Sequence, residues 1–153
     1  MREAAAAVAA FAANDLAAAD SMLRRAFAAQ PDNPGAHLQA AWGAMRRDDR
    51  ASAREHLAVT MRWGDMRDRS LAYNVLGIIA MREGRETEGR AAFVAALGTH
   101  PGEASSYVSL ARVQVQAGHP DSAGAVLENG LARTFPNESI LKALEALREG
   151  RGF

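Results

Sequence analysis

The side chains of this 153-residue chain that could do chemistry are four histidines, His37, His56, His100 and His119, and a carboxylate-rich stretch at Glu83, Glu86 and Glu88. Imidazoles ligate metals and carry protons near neutral pH. Paired carboxylates serve as general acid and base. Both chemistries need residues that converge. No two histidines stand four apart on a helix and no H-E-x-x-H occurs. The carboxylates are interleaved with Arg82, Arg85 and Arg90, which reads as a solvated charged turn. His56 beside Glu55 reads as a surface pair. There is no G-x-S-x-G, no P-loop and no dinucleotide-binding glycine fingerprint. The absence of cysteine excludes disulfides, thiolate metal sites and a cysteine nucleophile. The sequence therefore predicts no enzyme activity, no catalytic residue, no metal site and no cofactor.

Charge narrows the partners. Lys plus Arg equals Asp plus Glu at 18 each, so the chain as a whole has no basic footprint. The densest basic cluster, Arg46, Arg47, Arg50 and Arg54, contains Asp48, Asp49 and Glu55, and its charge nearly cancels. A nucleic-acid partner is not expected. No run of about 18 apolar residues exists, so no transmembrane segment is expected. The opening "MREAAAAVAAFAAND" has one arginine and then weakly hydrophobic alanines, and it reads as an amphipathic helix and not as an export signal. Lys142 is the only lysine while arginine is abundant, a usage common in GC-rich bacterial genomes. Cytoplasm and periplasm are left equally open.

The elements that must position any site follow from internal repetition. Ala19, Ala53, Gly89 and Ala123 are separated by 34, 36 and 34 residues. The same steps connect Leu23, Leu57, Phe93 and Leu127, then Ala26, Thr60, Ala96 and Gly130, then Ala7, Ala41, Gly77 and Ala111. Turn signals recur in phase at Asn14-Asp15, Asp48-Asp49, Gly84-Arg85 and Gly118-His119. Unit ends align at Pro31, Asp65, Pro101 and Phe135-Pro136. Each unit reads as two helices and a tight turn. The expected helices are 2–13, 16–29, 34–47, 50–63, 69–83, 86–98, 103–117 and 120–133, with a further amphipathic helix at 138–149. The two extra residues between the second and third units fall in "RWGDMRDRS", expected to be a longer turn, hinge or contact loop. Gly77, inside a helix, implies close packing that offsets about 1 kcal/mol of lost propensity.

With Tyr73, Leu76-Gly77, Ala80, Gly84, Phe93, Ala96 and Pro101 in the third unit, and Tyr107, Leu110, Ala111, Gly118, Ala123 and Leu127 in the fourth, the chain resembles the tetratricopeptide repeat (TPR). The second unit keeps Ala41, Ala44, Ala53 and Leu57, and the first is degenerate. The resemblance implies an all-α, right-handed α-solenoid: one domain over 1–153, with units at about 1–33, 34–67, 70–103 and 104–137 and a capping helix at 138–149.

The resemblance also implies that first helices line a concave groove. Carried onto this sequence, the lining is Ala4, Val8 and Phe11; Leu38, Trp42 and Met45; Asn74, Ile78 and Met81; Val108, Arg112 and Val115. Ile78 and Met81 are apolar beyond what the core needs, which marks a binding surface. Some of the stripe is expected to finish the core instead. Relatives that clamp a terminal carboxylate use Lys, Asn and Arg, whereas the corresponding places here hold mostly Ala, Leu, Gln, Val and Ser. An amphipathic helix or extended apolar peptide fits better, with Trp42, Phe11, Met45 and Met81 as anchors. The expected function is a non-catalytic protein-interaction scaffold. The chain is similar in this respect to bacterial TPR proteins of Tad/Flp and type IV pilus biogenesis. Self-association, or service as an accessory part of a larger enzyme, are the alternatives.

Overall fold

One residue in each expected turn adopts the left-handed backbone: Asn14 at φ 60°, Asp48 at 57°, Gly84 at 74° and Gly118 at 79°. Asn, Asp and Gly tolerate this conformation best. After each, a backbone N–H reaches back to a carbonyl five residues earlier. The bonds are Asp15 to Ala10 at 2.9 Å, Asp49 to Ala44 at 2.9 Å, Arg85 to Ala80 at 2.9 Å and His119 to Gln114 at 2.8 Å. This closes one helix and starts the next. The computed structural model describes residues 2–153, excepting the side chains of 2–5 and of Phe11. Its helices are α1 (Arg2–Ala12), α2 (Leu16–Ala29), α3 (Pro34–Arg46), α4 (Arg50–Trp63), α5 (Met66–Arg82), α6 (Glu86–Thr99), α7 (Ala104–Gln116), α8 (Pro120–Thr134) and α9 (Glu138–Arg148). Among the described residues there is no strand.

Boundaries agree with the sequence to within a residue or two except in one place. The extra residues before the third unit do not make a long loop. They extend α5, which runs 17 residues against 13 in α3 and in α7. Asp65 causes the early start, because its side chain accepts the N–H of Asp68 at 2.8 Å. Gly64 lets the chain turn there, since a β-carbon would stand 2.5 Å from the Thr60 carbonyl oxygen.

Each pair packs tightly: α1 on α2, α3 on α4, α5 on α6, α7 on α8. First helices also touch in series, α1 to α3 to α5 to α7, and α9 continues the row. Second helices pack their backbones against their own partner and the next first helix, and meet one another only through side chains such as Phe27 of α2 on His56 of α4. Closer backbone contact on one side bends the stack, so first helices line its inner face. The four phased small and large positions become core: Ala19, Ala53, Gly89 and Ala123 with Leu23, Leu57, Phe93 and Leu127 are all buried. Buried hydroxyls join units. Ser70 donates to the Ala96 carbonyl at 2.9 Å and Thr60 to the Pro34 carbonyl at 3.1 Å.

Gly77 receives a ring. A β-carbon there would meet the Phe93 ring at 2.5–2.9 Å, and one on Gly89 would lie 3.2 Å from the Gly77 carbonyl oxygen. The close packing expected at Gly77 is thus made chiefly by the side chain of Phe93.

Candidate functional site

Three consecutive first helices build an open groove of about 440 Å³ on the inner face. Trp42 comes from α3, Ile78, Met81 and Arg82 from α5, and Ser109, Arg112, Val113 and Gln116 from α7, with Phe93 of α6 reaching the wall. Trp42, Ile78 and Arg112 sit at one position of successive units, 36 and 34 residues apart. Matching positions of stacked repeat units lie side by side.

Of the residues expected in the lining, Trp42, Ile78, Met81 and Arg112 border this groove. Leu38 and Met45 do not face open space. They are 4% exposed and belong to the core between the second and third units. Asn74 is buried too, and its amide donates to Ser106 Oγ at 3.3 Å and Ser109 Oγ at 3.1 Å, tying α5 to α7. Helix-stripe spacing does not separate core from rim, because both fall three and four residues apart. Val108 borders a second cavity, described below, and Val115 packs half-buried against the last core. Val8 is exposed on α1. Ala4 and Phe11, named from the sequence, have side chains outside the described residues.

Arg82 was not anticipated, although it stands four residues after Ile78 and a plain helical step reaches it. Its guanidinium donates to the Met45 carbonyl at 3.4 Å. Arg112 donates through Nε to the main-chain oxygen of Phe153 at 2.6 Å. Neither pairs with an Asp or Glu side chain among the described residues. The groove therefore combines an indole, a thioether and an aliphatic side chain with two guanidinium groups that donate to main-chain oxygens. Apolar surface takes up apolar side chains, and guanidinium forks hold carbonyl or carboxylate oxygens.

The charged clusters behave otherwise. Arg54 reaches Glu83 at 2.8 Å, so the basic and acidic stretches neutralise each other across α4 and the turn after α5. Arg47 meets Asp20 at 3.4 Å and Arg50 meets Asp48 at 2.8 Å. Arg85 pairs with both Glu83 and Glu88. His56 does not form the expected surface pair with Glu55. It lies half-buried between α3 and α4, its Nδ1 at 2.9 Å from Nδ1 of His37, with Phe27 stacked on it at 6.0 Å. His37 Nε2 lies 2.9 Å from the Pro31 carbonyl oxygen and must donate to it. His37 Nδ1 then accepts, and His56 Nδ1–H donates. Burial, and then the neighbouring His37, hold the His56 imidazole below its ordinary value. No group of three or more His, Cys, Asp or Glu able to hold a metal occurs among the described residues. No helix there is long and apolar enough to cross a membrane.

Stacked helix pairs with an open inner face define the class of this molecule: it has the TPR solenoid fold. Solved structures share it. TTC0263, a thermophilic TPR protein of Thermus thermophilus, superposes with a TM-score of 0.73 at 22% identity, over 97% of this chain and 81% of that one. PilF of Pseudomonas aeruginosa gives 0.73 at 18% identity, over 97% and 67%. MamA gives 0.62 at 19% identity, over 94% and 83%. No protein-family model matches the chain, and no curated protein matches it by sequence.

Proposed function

We propose that the chain is a non-catalytic protein-interaction scaffold that holds an apolar peptide or amphipathic helix in its concave groove. One observation carries the reading. Trp42, Ile78 and Met81, from successive first helices, present apolar side chains to open space where the fold offers a curved channel. Aromatic and Met side chains supply adaptable anchoring surface. A bacterial assembly such as pilus or secretion machinery is the setting we favour. The fold shared with PilF of Pseudomonas aeruginosa supports it, beside the sequence resemblance to pilus-biogenesis repeat proteins.

The test compares proteins captured by the wild-type chain with those captured by Trp42→Glu. The expected result is loss of specific partners with unchanged helicity in far-ultraviolet circular dichroism. An unaltered set of partners removes the groove from the account. Self-association draws on a different surface: Trp63, Met66 and Phe135, exposed at 55%, 68% and 72% near the junctions between units. Molar mass by light scattering decides it, since a strict monomer at high concentration excludes that reading.

A further inference from the structure

Helix α9 ends the way α1, α3, α5 and α7 end. Gly150 is left-handed at φ 66°, and the Arg151 N–H reaches the Ala146 carbonyl at 2.8 Å. In the four units this turn launches a second helix on the outer side. Here Arg151, Gly152 and Phe153 run onto the inner face. They border a cavity of about 420 Å³ with Val108 and Arg112 of α7 and Lys142 and Ala146 of α9. Ala146 is the next member of the series Trp42, Ile78, Arg112, 34 residues on, so this cavity prolongs the groove. The Phe153 ring packs half-buried against the core of Tyr107, Ala143 and Leu144. Its main-chain oxygen takes the Arg112 Nε–H at 2.6 Å. Arg112 borders both cavities and is committed to the tail.

We propose that residues 151–153 are a strap that fills one end of the groove. A peptide running its full length displaces Phe153 with an aromatic side chain of its own, whose neighbouring main-chain oxygen takes over the bond from Arg112. The inference rests on the groove being the binding surface. A tethered occupant competes at high effective concentration. It lowers the apparent affinity of a partner by the fraction of molecules whose strap is open.

Two measurements test it. The first places Phe153→Trp in a Trp42→Phe, Trp63→Phe background and follows acrylamide quenching. A seated indole is quenched at least about twofold more slowly than in the urea-unfolded chain, and Arg112→Gln removes part of that protection. Quenching as fast as in the unfolded chain overturns the strap. The second pans random twelve-residue peptides displayed on phage against the wild type and against Phe153→Ala. The variant is expected to enrich aromatic-containing sequences and to bind their synthetic copies about tenfold more tightly, as for a strap open in about a tenth of molecules. Peptides that bind both proteins equally overturn the competition and leave the groove standing. No enrichment on either protein overturns the groove reading itself, whatever the quenching shows.

Discussion

A β-carbon at Gly77 would stand 2.5 Å from Cε1 of Phe93, a ring that is 2% exposed. Alanine would gain roughly 1 kcal/mol of helix propensity. Overpacking a filled core costs about 1–3 kcal/mol. The second effect wins, and Gly77→Ala is expected to lower stability by about 1 kcal/mol net, read from the urea midpoint at constant slope. The His37–His56 bond sets a pH dependence at the same scale. His56 has a folded pKa below its ordinary value of 6.5, so the folded state binds fewer protons than the unfolded one. The stability it contributes is fully present above about pH 6.5 and is lost as pH falls through the lowered folded value. Glu55 and Asp49 pull the other way, while Arg47 adds to the lowering. The melting temperature of the wild type is expected to drop more than that of His56→Gln between pH 7 and pH 5. Parallel curves would show that the pair has no such role.

Among the elements, α5 is the informative one. Its additional N-terminal residues depend on one cap, the Asp65 carboxylate on the Asp68 N–H. Removing it leaves an orphan donor, and Asp65→Ala is expected to cost about 1 kcal/mol in urea unfolding. Asp65→Asn keeps the acceptor and should recover most of the loss. If Asp65→Ala is neutral, the start of α5 is held by packing and not by the cap. Second helices start less uniformly. Asp15 and Asp49 cap α2 and α4 with side-chain bonds, whereas Arg85 and His119 give α6 and α8 none. Glu86 and Glu88 compensate in the first turn of α6, where negative charge meets the positive helix end.

At the scale of the whole molecule, stability is nearly a sum over units and their junctions. The described core of the first unit and its junction with α3 is Ala7, Ala19, Ala26, Ala36 and Ala40 with Leu23. The centre buries Leu57, Val75, Ile79 and Phe93. Burial stabilises by about 25 cal/mol per Å², so small side chains contribute least. Amide hydrogen exchange is therefore expected to be fastest in α1 and α2 and slowest in α5 and α6. Uniform protection along the chain would mean that the units unfold together.

The chain's phased small and large residues determine the helix pairs by themselves, because a repeat with one register has one way to stack. Turn positions were legible for the same reason: Asn14, Asp48, Gly84 and Gly118 mark the places where the backbone must turn left-handed. Three things needed tertiary structure. Leu38, Met45 and Asn74 share the helical spacing of Trp42 and Ile78, and only the neighbouring helix decides which side chains it covers. The His37–His56 contact joins residues 19 apart, and sequence adjacency pointed instead to Glu55. Phe153 reaches Arg112 across 41 residues. Local pattern carries turn and helix, since those depend on neighbours along the chain. The covering of a surface depends on neighbours in space, and no spacing along the chain encodes it.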